Sequence, residues 1–501
     1  MLDTRNMPHA IIIGSGVGGL ASAARLAARG YRVTVLEKLD AIGGRGYTHH
    51  RDGYVFDAGP TIITAPYIFE ELWEACGGRL EDDVRLEACD PFYKIRFDDG
   101  SVFTYRGDHA AMRAEVERFS PGEGVNYERF LRESERIYNT AFEKLAAVPF
   151  HSLSFTLGTM AELVKLGGYR TVHAKVTDFF RNEKLRTVFS FHPLLIGGNP
   201  FSTTSYYCLI AHLESKFGVH YAVGGTGALI RGIADLVERN GGRIRLNAEV
   251  AEITVEDGAV SGVRLADGEH VKADIVVSNA DAAWTYGQLL KNHRRKRWTD
   301  RKLKNADYSM SLFVWYFGTN RQFEDVGHHT MVLGPRYKPL LDDIFKEHQL
   351  AEDFSLYLHR PTAADPGLAP DGHDAFYVLA PVPHLASGDD WNEIGEAFRA
   401  RVQARLEETL MPGLGEALTT SFITTPIDFR ERLLSYQGAA FSLEPKLLQS
   451  AWFRPHNKSE EVRGLYLCGA GTHPGAGLPG VVSSAKIVAD LVPEPTALVR
   501  G

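Results

Sequence analysis

The sequence predicts an α/β fold that joins a parallel sheet of βαβ units to a second, β-rich part and a helical segment. Three observations support this prediction. A strand-like run at residues 10–13 leads through a glycine loop into a helix and a second strand, residues 32–37. Residues 105–190 carry long helical periodicities. Residues 308–319 and 375–382 are rich in aromatic and β-branched residues, as the strands of a second sheet are.

Length and composition indicate a large globular protein. With 501 residues, 44% of them apolar and 24% charged, the chain has material for a core spread over two or three subdomains. The net charge of −8 argues against attraction to phosphate backbones, so no nucleic-acid partner is expected. Cys76, Cys89, Cys208 and Cys468 lack metal-ligand spacing, so no metal site is predicted. They are expected to be buried thiols in a reducing compartment.

The hydrophobic pattern bears on location. Residues 1–9 contain no apolar run typical of a secretory signal peptide, so the chain is expected in the cytoplasm. No uninterrupted apolar stretch reaches the roughly 18 residues of a membrane-spanning helix. Any membrane contact is therefore expected to be peripheral.

Changes of pattern divide the chain into segments. The helical segment predicts helices at residues 111–119, 127–145 and 155–166. The α/β character returns at Gly224, with a helix that ends at Arg239. The strands predicted after it lie at residues 244–246, 251–255, 260–265, 275–277 and 465–468.

The glycine loop after the first strand is the first motif with a chemical meaning. Gly14, Gly16 and Gly19 fit the pattern GxGxxG between a strand and a helix. The first glycine makes the turn, the second lets a pyrophosphate approach the backbone, and the third allows close helix–sheet packing. The helix N-terminus attracts the phosphates. Glu37, which ends the second strand, is positioned to bind a ribose hydroxyl, so these features predict a Rossmann dinucleotide-binding unit.

NAD and FAD both use such a unit, and the residues that follow favour FAD. Gly44 and Arg45 come soon after Glu37, where they can bring a guanidinium to a diphosphate. The alternative is an ordinary glycine loop with a solvated arginine. In the next motif, DAGPT at residues 57–61, Gly59 and Pro60 form a stiff backbone segment that can lie along the cofactor.

A second glycine-rich segment lies between the last strand and the last helix. It runs from Gly469 to Val481 and contains five glycines and two prolines, in the order GAGTHPGAGLPGV. A structural turn needs only one or two glycines. This backbone is therefore predicted to lie against a large planar or anionic ligand.

The chain resembles the bacterial-type phytoene desaturases, within the flavoprotein superfamily that includes amine oxidases and protoporphyrinogen oxidases. The motifs that carry the resemblance are, in order, GxGxxG, GGR, DAGPT, GGTGAL and LYLCGAGTHPGAGLPGV. The segments FSFHPLLIGGNPF, SLYLHR, APVPHL and QSAWFRPH extend it over nearly the whole chain. Cys468 departs mildly from the pattern, since a small aliphatic residue is expected there.

The resemblance implies FAD-dependent, stepwise desaturation of phytoene to neurosporene- or lycopene-type carotenes. With the changes of pattern, it implies a Rossmann-like FAD-binding domain (1–75, 222–290 and 455–495), a β-rich substrate domain (76–125 and 291–454) and a helical, membrane-associating cap (126–221). The cofactor contacts that it implies are Gly14, Ser15, Gly16, Gly19, Glu37, Lys38, Gly44, Arg45, Gly59, Pro60, Thr61, Val250, Gly469, Ala470, Gly480, Val481 and Val482.

Such a substrate sets the chemistry of the rest of the site. Phytoene has no ionisable group, so an apolar tunnel is expected, and the aromatic runs 189–201 and 313–317 are candidates both for its lining and for ordinary core. The flavin takes the hydride, because no side chain can. The remaining cation loses a proton easily. A dedicated strong base is therefore not required. His192, His359 and His384 are candidate bases, but histidines in such contexts are more often structural, and none is assigned.

Substrate and products partition into lipid, so contact with the inner face of the cell membrane is expected. One candidate surface is a helix with basic neighbours, formed by Leu153, Leu157, Met160, Leu163, Val164 and Leu166. A cap helix packed on the body is its alternative. The basic run 291–298, which ends in Trp298, is a second candidate and would look the same in a solvated loop.

Other functions stay open on the sequence alone. The same fold can desaturate a hydroxylated or methoxylated carotenoid or diapophytoene, or can isomerise a carotenoid. An amine oxidase is disfavoured because no aromatic cage is evident at the C-terminal motif. A membrane-bound carotenoid carrier with structural FAD is the non-enzymatic alternative. Partly desaturated carotenes are the expected intermediates, and oxygen or a membrane quinone is the candidate electron acceptor.

Overall fold

The computed structural model describes residues 7–143, 148, 158 and 164–499. The strands are β1 His9–Ile13, β2 Arg32–Leu36, β3 Thr48–Arg51, β4 Tyr54–Asp57, β5 Leu86–Ala88, β6 Tyr93–Arg96, β7 Val102–Tyr105, β8 His220–Ala222, β9 Arg243–Arg245, β10 Val250–Glu256, β11 Ala259–Leu265, β12 His270–Lys272, β13 Ile275–Ser278, β14 Ser311–Thr319, β15 His329–Val332, β16 Leu356–His359, β17 Asp374–Val382, β18 Leu418–Thr424 and β19 Leu465–Leu467.

The α-helices are α1 Val17–Ala28, α2 Tyr67–Ala75, α3 Leu80–Asp83, α4 His109–Phe119, α5 Gly124–Ile137, α6 Val172–Val176, α7 Glu183–Ser190, α8 Leu209–Phe217, α9 Thr226–Arg239, α10 Ala282–Trp284, α11 Asp300–Lys304, α12 Tyr337–Asp342, α13 Trp391–Thr409, α14 Leu414–Ala417, α15 Pro426–Glu431, α16 Leu478–Leu491 and α17 Pro495–Val499. Single turns of 3₁₀- or π-helix connect several of them.

A five-stranded parallel sheet has the order β19-β13-β1-β2-β9. One face packs on α1, α9 and α16, and the other packs on the three-stranded sheet β10-β11-β12. Because both faces are covered, every residue of β1 is buried. The strands and the helix predicted around GxGxxG, and the strands predicted after Gly224, are confirmed with shifts of one or two residues at their ends.

The order of the strands fixes where a ligand can bind. β1 is the central strand, with β2 on one side and β13 on the other. The chain therefore leaves β1 and β13 at the same edge of the sheet and in opposite directions. In open α/β sheets, ligands bind in the crevice outside the carboxyl ends of the strands at such a switch point.

A seven-stranded mixed sheet, β18-β14-β17-β16-β15-β6-β7, forms the β-rich second part. Side chains alternate across β14, so the aromatic run 313–317 divides between its two faces. Phe313, Trp315 and Phe317 pack on α13, while Tyr316 packs on the opposite face with Tyr54. The run is therefore ordinary core.

The helical segment is described in part. The predicted helix 111–119 is α4, which starts where Ala111 N–H donates to Asp108 Oδ1 at 2.7 Å. The predicted helix 127–145 is α5, followed by a π-turn at Tyr138–Phe142, and Leu145 lies outside the described residues. Most of the predicted helix 155–166, with Leu153, Leu157, Met160 and Leu163, also lies outside them.

The structure tests two of the predictions about membrane contact, the absence of a spanning helix and the interfacial position of Trp298. Within the described ranges, no helix is long and apolar enough to cross a bilayer. Trp298 is 2% exposed and stacks on Tyr286 with ring centroids 5.9 Å apart. The prediction that this tryptophan lies at a membrane interface is therefore wrong, because its ring belongs to the core around β13.

Candidate functional site

A cavity of about 530 Å³ extends from the carboxyl ends of β1 and β13 to the inner face of the seven-stranded sheet. Its volume lies in the range of ligand pockets, about 300–1,000 Å³. The predicted cofactor contacts that line it are Gly14, Gly16, Glu37, Lys38, Gly44, Arg45, Gly59, Pro60, Thr61, Val250, Gly469, Ala470, Gly480 and Val481. Ser15, Gly19 and Val482 lie behind its wall. Tertiary structure thus brings distant motifs to one cavity.

The glycine loop after β1 has the backbone geometry that GxGxxG requires. Gly14 has φ of +89° and donates its N–H to Leu36 O at 2.8 Å, which turns the chain away from the sheet. A Cβ on Gly19 would lie 2.0 Å from Gly14 O, so only glycine allows α1 to pack this close. Gly16, the N-cap residue of α1, gives the helix no side-chain cap. The first N–H groups of α1 therefore remain available to a ligand.

Glu37 is held by the loop that it faces. Ser15 donates to Glu37 Oε2 from both its backbone N–H, at 2.7 Å, and its hydroxyl, at 2.6 Å. Leu39 N–H donates to Oε1 at 2.9 Å. An ionised carboxylate has about four acceptor positions, so one position is left for a ribose hydroxyl. Ser15 therefore orients Glu37 from behind the cavity wall.

Arg45 places a cation inside the cavity. Its Nη2 donates to Ser435 Oγ at 2.9 Å, and within the described part of the chain its Nε has no hydrogen-bond partner. Burial lowers the pKa of Arg45, and the nearby Asp281 opposes this shift. Burial raises the pKa of Asp281, and Arg45 opposes that shift in turn. The guanidinium is thus pre-positioned with unused donor capacity.

The segment that follows β13 was missed by the sequence reasoning. Asn279 and Asp281 both line the cavity. Cβ atoms added to Gly16 and Gly469 would each lie 2.7 Å from the amide group of Asn279, so this side chain fills the space between the two glycine-rich segments. The usable signal is a strand, 275–277, followed at once by polar residues. Polar side chains at the carboxyl ends of parallel strands are typical of α/β ligand sites.

The DAGPT motif has two roles in the structure. Asp57 caps α9, because Thr226 N–H donates to Asp57 Oδ2 at 2.9 Å, and burial raises the pKa of Asp57 to about 6. Thr61 faces the cavity and lies 3.1 Å from the hydroxyl of Tyr357 and 3.0 Å from that of Tyr377. The motif therefore ties the Rossmann sheet to the second sheet.

The far half of the cavity is mostly apolar, with Glu214 on α8 as its acidic residue. The inner face of the seven-stranded sheet contributes Leu312 and Leu379, and Met310 lies just before β14. Helix α8 contributes Leu209 and Leu213, and α12 contributes Leu340. From the predicted aromatic run 189–201, Phe191 and Leu194 to Ile196 line the cavity, whereas Phe189 stacks on Phe180 in the core. This wall suits a ligand without charged groups.

The candidate histidines do not line this cavity. His192 Nε2 lies 3.1 Å from Glu214 Oε2, behind the wall. His359 Nε2 lies 3.0 Å from His328 Nε2. His384 accepts from Ala386 N–H at 3.3 Å, and burial lowers the pKa of His384 to about 4. None of the three is placed to take a proton directly from a ligand in the cavity.

Among the residues that the structure describes, one group of side chains has metal-ligand chemistry: the ligand atoms of Cys89, His328 and His329 lie within 4.8 Å of one another. Burial raises the pKa of Cys89 to about 12, which opposes the thiolate that a metal requires. Tyr357 OH lies 2.7 Å from His329 Nδ1. Hydrogen bonds and burial therefore account for this group. The four cysteines are free and buried, as predicted.

The residues of the nucleotide half fit FAD. Both α1 and α16 begin at the cavity without a side-chain N-cap. The positive ends of two helices suit a diphosphate, and α1 adds the free N–H groups of its first turn, whereas Pro479 in the first turn of α16 has no N–H. Arg45 supplies a further donor, and Glu37 retains an acceptor for a ribose.

Comparison with known proteins agrees with this geometry. The sequence profile of the flavin containing amine oxidoreductase family matches residues 17–493. A neurosporene-forming phytoene desaturase of Cereibacter sphaeroides is 51% identical over 97% of this chain and 95% of its own length. A lycopene-forming phytoene desaturase of Pseudescherichia vulneris is 47% identical over 97% of this chain and 99% of its own length.

Solved structures share the fold at low identity. An oxidoreductase from Methanosarcina mazei has a TM-score of 0.63 and 18% identity over 95% of this chain and 98% of its own. Putrescine oxidase bound to putrescine has a TM-score of 0.63 and 15% identity over 96% of this chain and 98% of its own. The predicted α/β fold is thus confirmed as that of the flavin amine oxidases, and FAD is the cofactor. By its family profile and by its full-length relatives, the chain belongs to the flavin-containing amine oxidoreductases and, among them, to the family of the bacterial phytoene desaturases.

Proposed function

We propose that this protein desaturates phytoene stepwise to neurosporene- or lycopene-type carotenes. The observation that carries the proposal is the continuity of one cavity from the nucleotide loop to an apolar wall. Curated relatives that match nearly the whole chain are neurosporene-forming and lycopene-forming phytoene desaturases. A long hydrocarbon is the substrate class that such a wall accommodates.

The residues of the chain bind the cofactor, orient the substrate and exclude water. The N-termini of α1 and α16, Arg45 and Glu37 would hold the dinucleotide, and Pro60 and Thr61 line the same cavity. FAD supplies the two-electron acceptor for a hydride, which no side chain can supply. The apolar side chains around Leu312 and Leu213 keep water from the allylic cation, which water would otherwise capture.

The cofactor contacts predicted from the sequence, from Gly14 to Val482, are part of this proposal, with Asn279 added. The division into an FAD-binding domain (1–75, 222–290, 455–495), a substrate domain (76–125, 291–454) and a cap (126–221) is proposed as well. It is supported by the strands, since the five of the parallel sheet fall in the first set of ranges and the seven of the mixed sheet in the second.

The protein is further proposed to act in the cytoplasm, on the inner face of the cell membrane. The loop of residues 447–453 supports this. Leu448 is 70% exposed and Phe453 is 36% exposed, while Ser450 and Ala451 of the same loop line the cavity. Exposed apolar side chains beside a hydrocarbon site suit docking on a bilayer, from which a polyene can enter.

Replacing both exposed side chains, as Leu448→Asp/Phe453→Asp, is expected to weaken vesicle binding about tenfold or more, because two apolar side chains lose their burial in lipid. Co-sedimentation with anionic phospholipid vesicles measures this, and the bound FAD should not change. Leu246→Asp, at a leucine that is 40% exposed on the Rossmann side, is the matched control. Equal binding by the double variant and the wild type would exclude this loop as the membrane contact.

Incubation of the purified protein with FAD and phytoene-loaded vesicles tests the proposed activity. New absorption bands at longer wavelength, resolved by chromatography, are expected, and the products count the desaturation steps. Oxygen and a membrane quinone are supplied in separate arms as acceptors. Unchanged phytoene in both arms would reject the proposal. Parallel arms with diapophytoene and a hydroxylated carotenoid would then identify a different polyene.

A further inference from the structure

Glu214 is a buried acidic residue in the wall of the apolar part of the cavity. It lies on α8, where Leu209, Ile210 and Leu213 line the same wall. Its exposure is 0%, and the other acidic residues of the cavity, Glu37, Glu249 and Asp281, lie in the nucleotide half.

Two side chains hold this carboxylate. Tyr93 OH donates to Glu214 Oε1 at 2.6 Å, and His192 Nε2 lies 3.1 Å from Oε2. Burial, and then the charge of Glu214, keep the pKa of Tyr93 well above its ordinary value, so Tyr93 remains a hydroxyl donor. Among the described residues, His192 is the one basic side chain within 4 Å of the Glu214 carboxylate. Each oxygen keeps a free acceptor position.

Glu214 also lies beside the segment proposed to follow the cofactor. The strand after α8 pairs with that segment, since His220 N–H donates to Ile63 O at 2.8 Å. On the other side, the ring of Tyr93 lies 6.1 Å from the ring of His329, which reaches Thr61 through Tyr357. Contacts on both sides of Glu214 thus lead to residues 61–63, which belong to the segment proposed to follow the cofactor.

A buried carboxylate in this wall requires an explanation. Burial of a charged group is unfavourable, and a leucine at this position would continue the apolar lining without that cost. A hydrocarbon offers no polar group for a carboxylate to bind. What the proposed reaction does produce here is a cation and a proton, and both favour an anionic oxygen.

We propose that Glu214 accepts the proton released in desaturation, with Tyr93 and His192 as positioning residues. The inference rests on the proposed desaturation. After one allylic carbon has given a hydride to the flavin, the C–H bond on the neighbouring carbon breaks. Its electron pair becomes the π bond of the new double bond, and its proton forms an O–H bond on Glu214. One C–H bond thus supplies the hydride and the other supplies the proton.

Glu214→Gln tests this role, because it keeps the shape of the side chain and one acceptor oxygen for Tyr93 but removes the basic carboxylate. A lowering of kcat of about 100-fold or more is expected, as for loss of a general base, with KM and the FAD content unchanged. Glu214→Asp should recover part of kcat. Glu128→Gln, the same change at a partly exposed site on α5, is the control.

The outcomes separate the two proposals. A wild-type protein that leaves phytoene unchanged overturns the proposed function and this role with it. If the wild type is active and Glu214→Gln retains most of its kcat, the role of Glu214 alone is rejected. If Glu214→Gln does not retain FAD, Tyr93→Phe decides, because loss of this donor should lower kcat several-fold at constant KM. Tyr93→Phe with unchanged kcat would reject the role.

Discussion

A Gly19→Ala variant is expected to be recovered without bound FAD and with much lower stability. The added Cβ would lie 2.0 Å from the backbone oxygen of Gly14, which no side-chain rotation can relieve. α1 must move away from β1, at a cost of about 3 kcal/mol, the upper part of the range for overpacked cores. The same shift moves the N-terminus of α1 away from the phosphates. The flavin-to-protein absorbance ratio and thermal unfolding measure both effects.

Gly287→Ala is the matched control, since the nearest heavy atom to its added Cβ lies 3.7 Å away. This variant should keep its FAD and unfold close to the wild type. A Gly19→Ala protein that holds stoichiometric FAD would show that the contact between helix and strand is not required. Thermal scans with excess FAD distinguish the loss of FAD binding from the loss of stability, because a ligand that still binds raises the unfolding temperature.

Arg45→Met is expected to weaken FAD binding about 100-fold. The variant removes a charge-assisted hydrogen-bond donor from a buried site, where bulk water cannot take its place. Such a hydrogen bond contributes roughly 2–3 kcal/mol to the binding free energy. Equilibrium titration of the apoprotein with FAD, followed by flavin fluorescence, measures the change. Arg430→Met, at an exposed arginine beside Glu431, should leave the affinity unchanged.

The same substitution also leaves Asp281 without its buried cation. Burial raises the pKa of Asp281 and Arg45 is the main factor that opposes this, so its removal raises that pKa further. A carboxyl with a raised pKa in the folded state loses stability as pH rises through that pKa. The free energy of unfolding of Arg45→Met should therefore fall most, relative to the wild type, at pH values above the raised pKa of Asp281. Adding Asp281→Asn should restore the stability but not the affinity for FAD, and recovery of both would contradict a direct role for Arg45.

The local elements followed from the sequence because their signals are local. The pattern of β1, GxGxxG and α1 depends on residues that are neighbours in the chain, and the structure confirms it. The same holds for the helix that became α9 and the strands that became β14 and β17. Resemblance of consecutive motifs gave the family and the cofactor, which the full-length relatives confirm.

Residues whose roles depend on contacts between distant segments escaped that reasoning. Asn279 fills the space between two glycine-rich segments, which are far apart in the chain. Trp298 looks like an interfacial tryptophan in a basic run, yet its ring is buried against Tyr286. In both cases the deciding neighbour lies on another element.

The sequence by itself determined the βαβ unit, the family and FAD, because glycine spacing, strand and helix periods and motif order are properties of the chain. The tertiary structure alone decided which apolar residues face the cavity and which pack in the core. Alternation along β14 splits one aromatic run between two faces. Only the packing of α8 against β6 brings Glu214 together with Tyr93, since burial and hydrogen-bond geometry arise when distant elements meet.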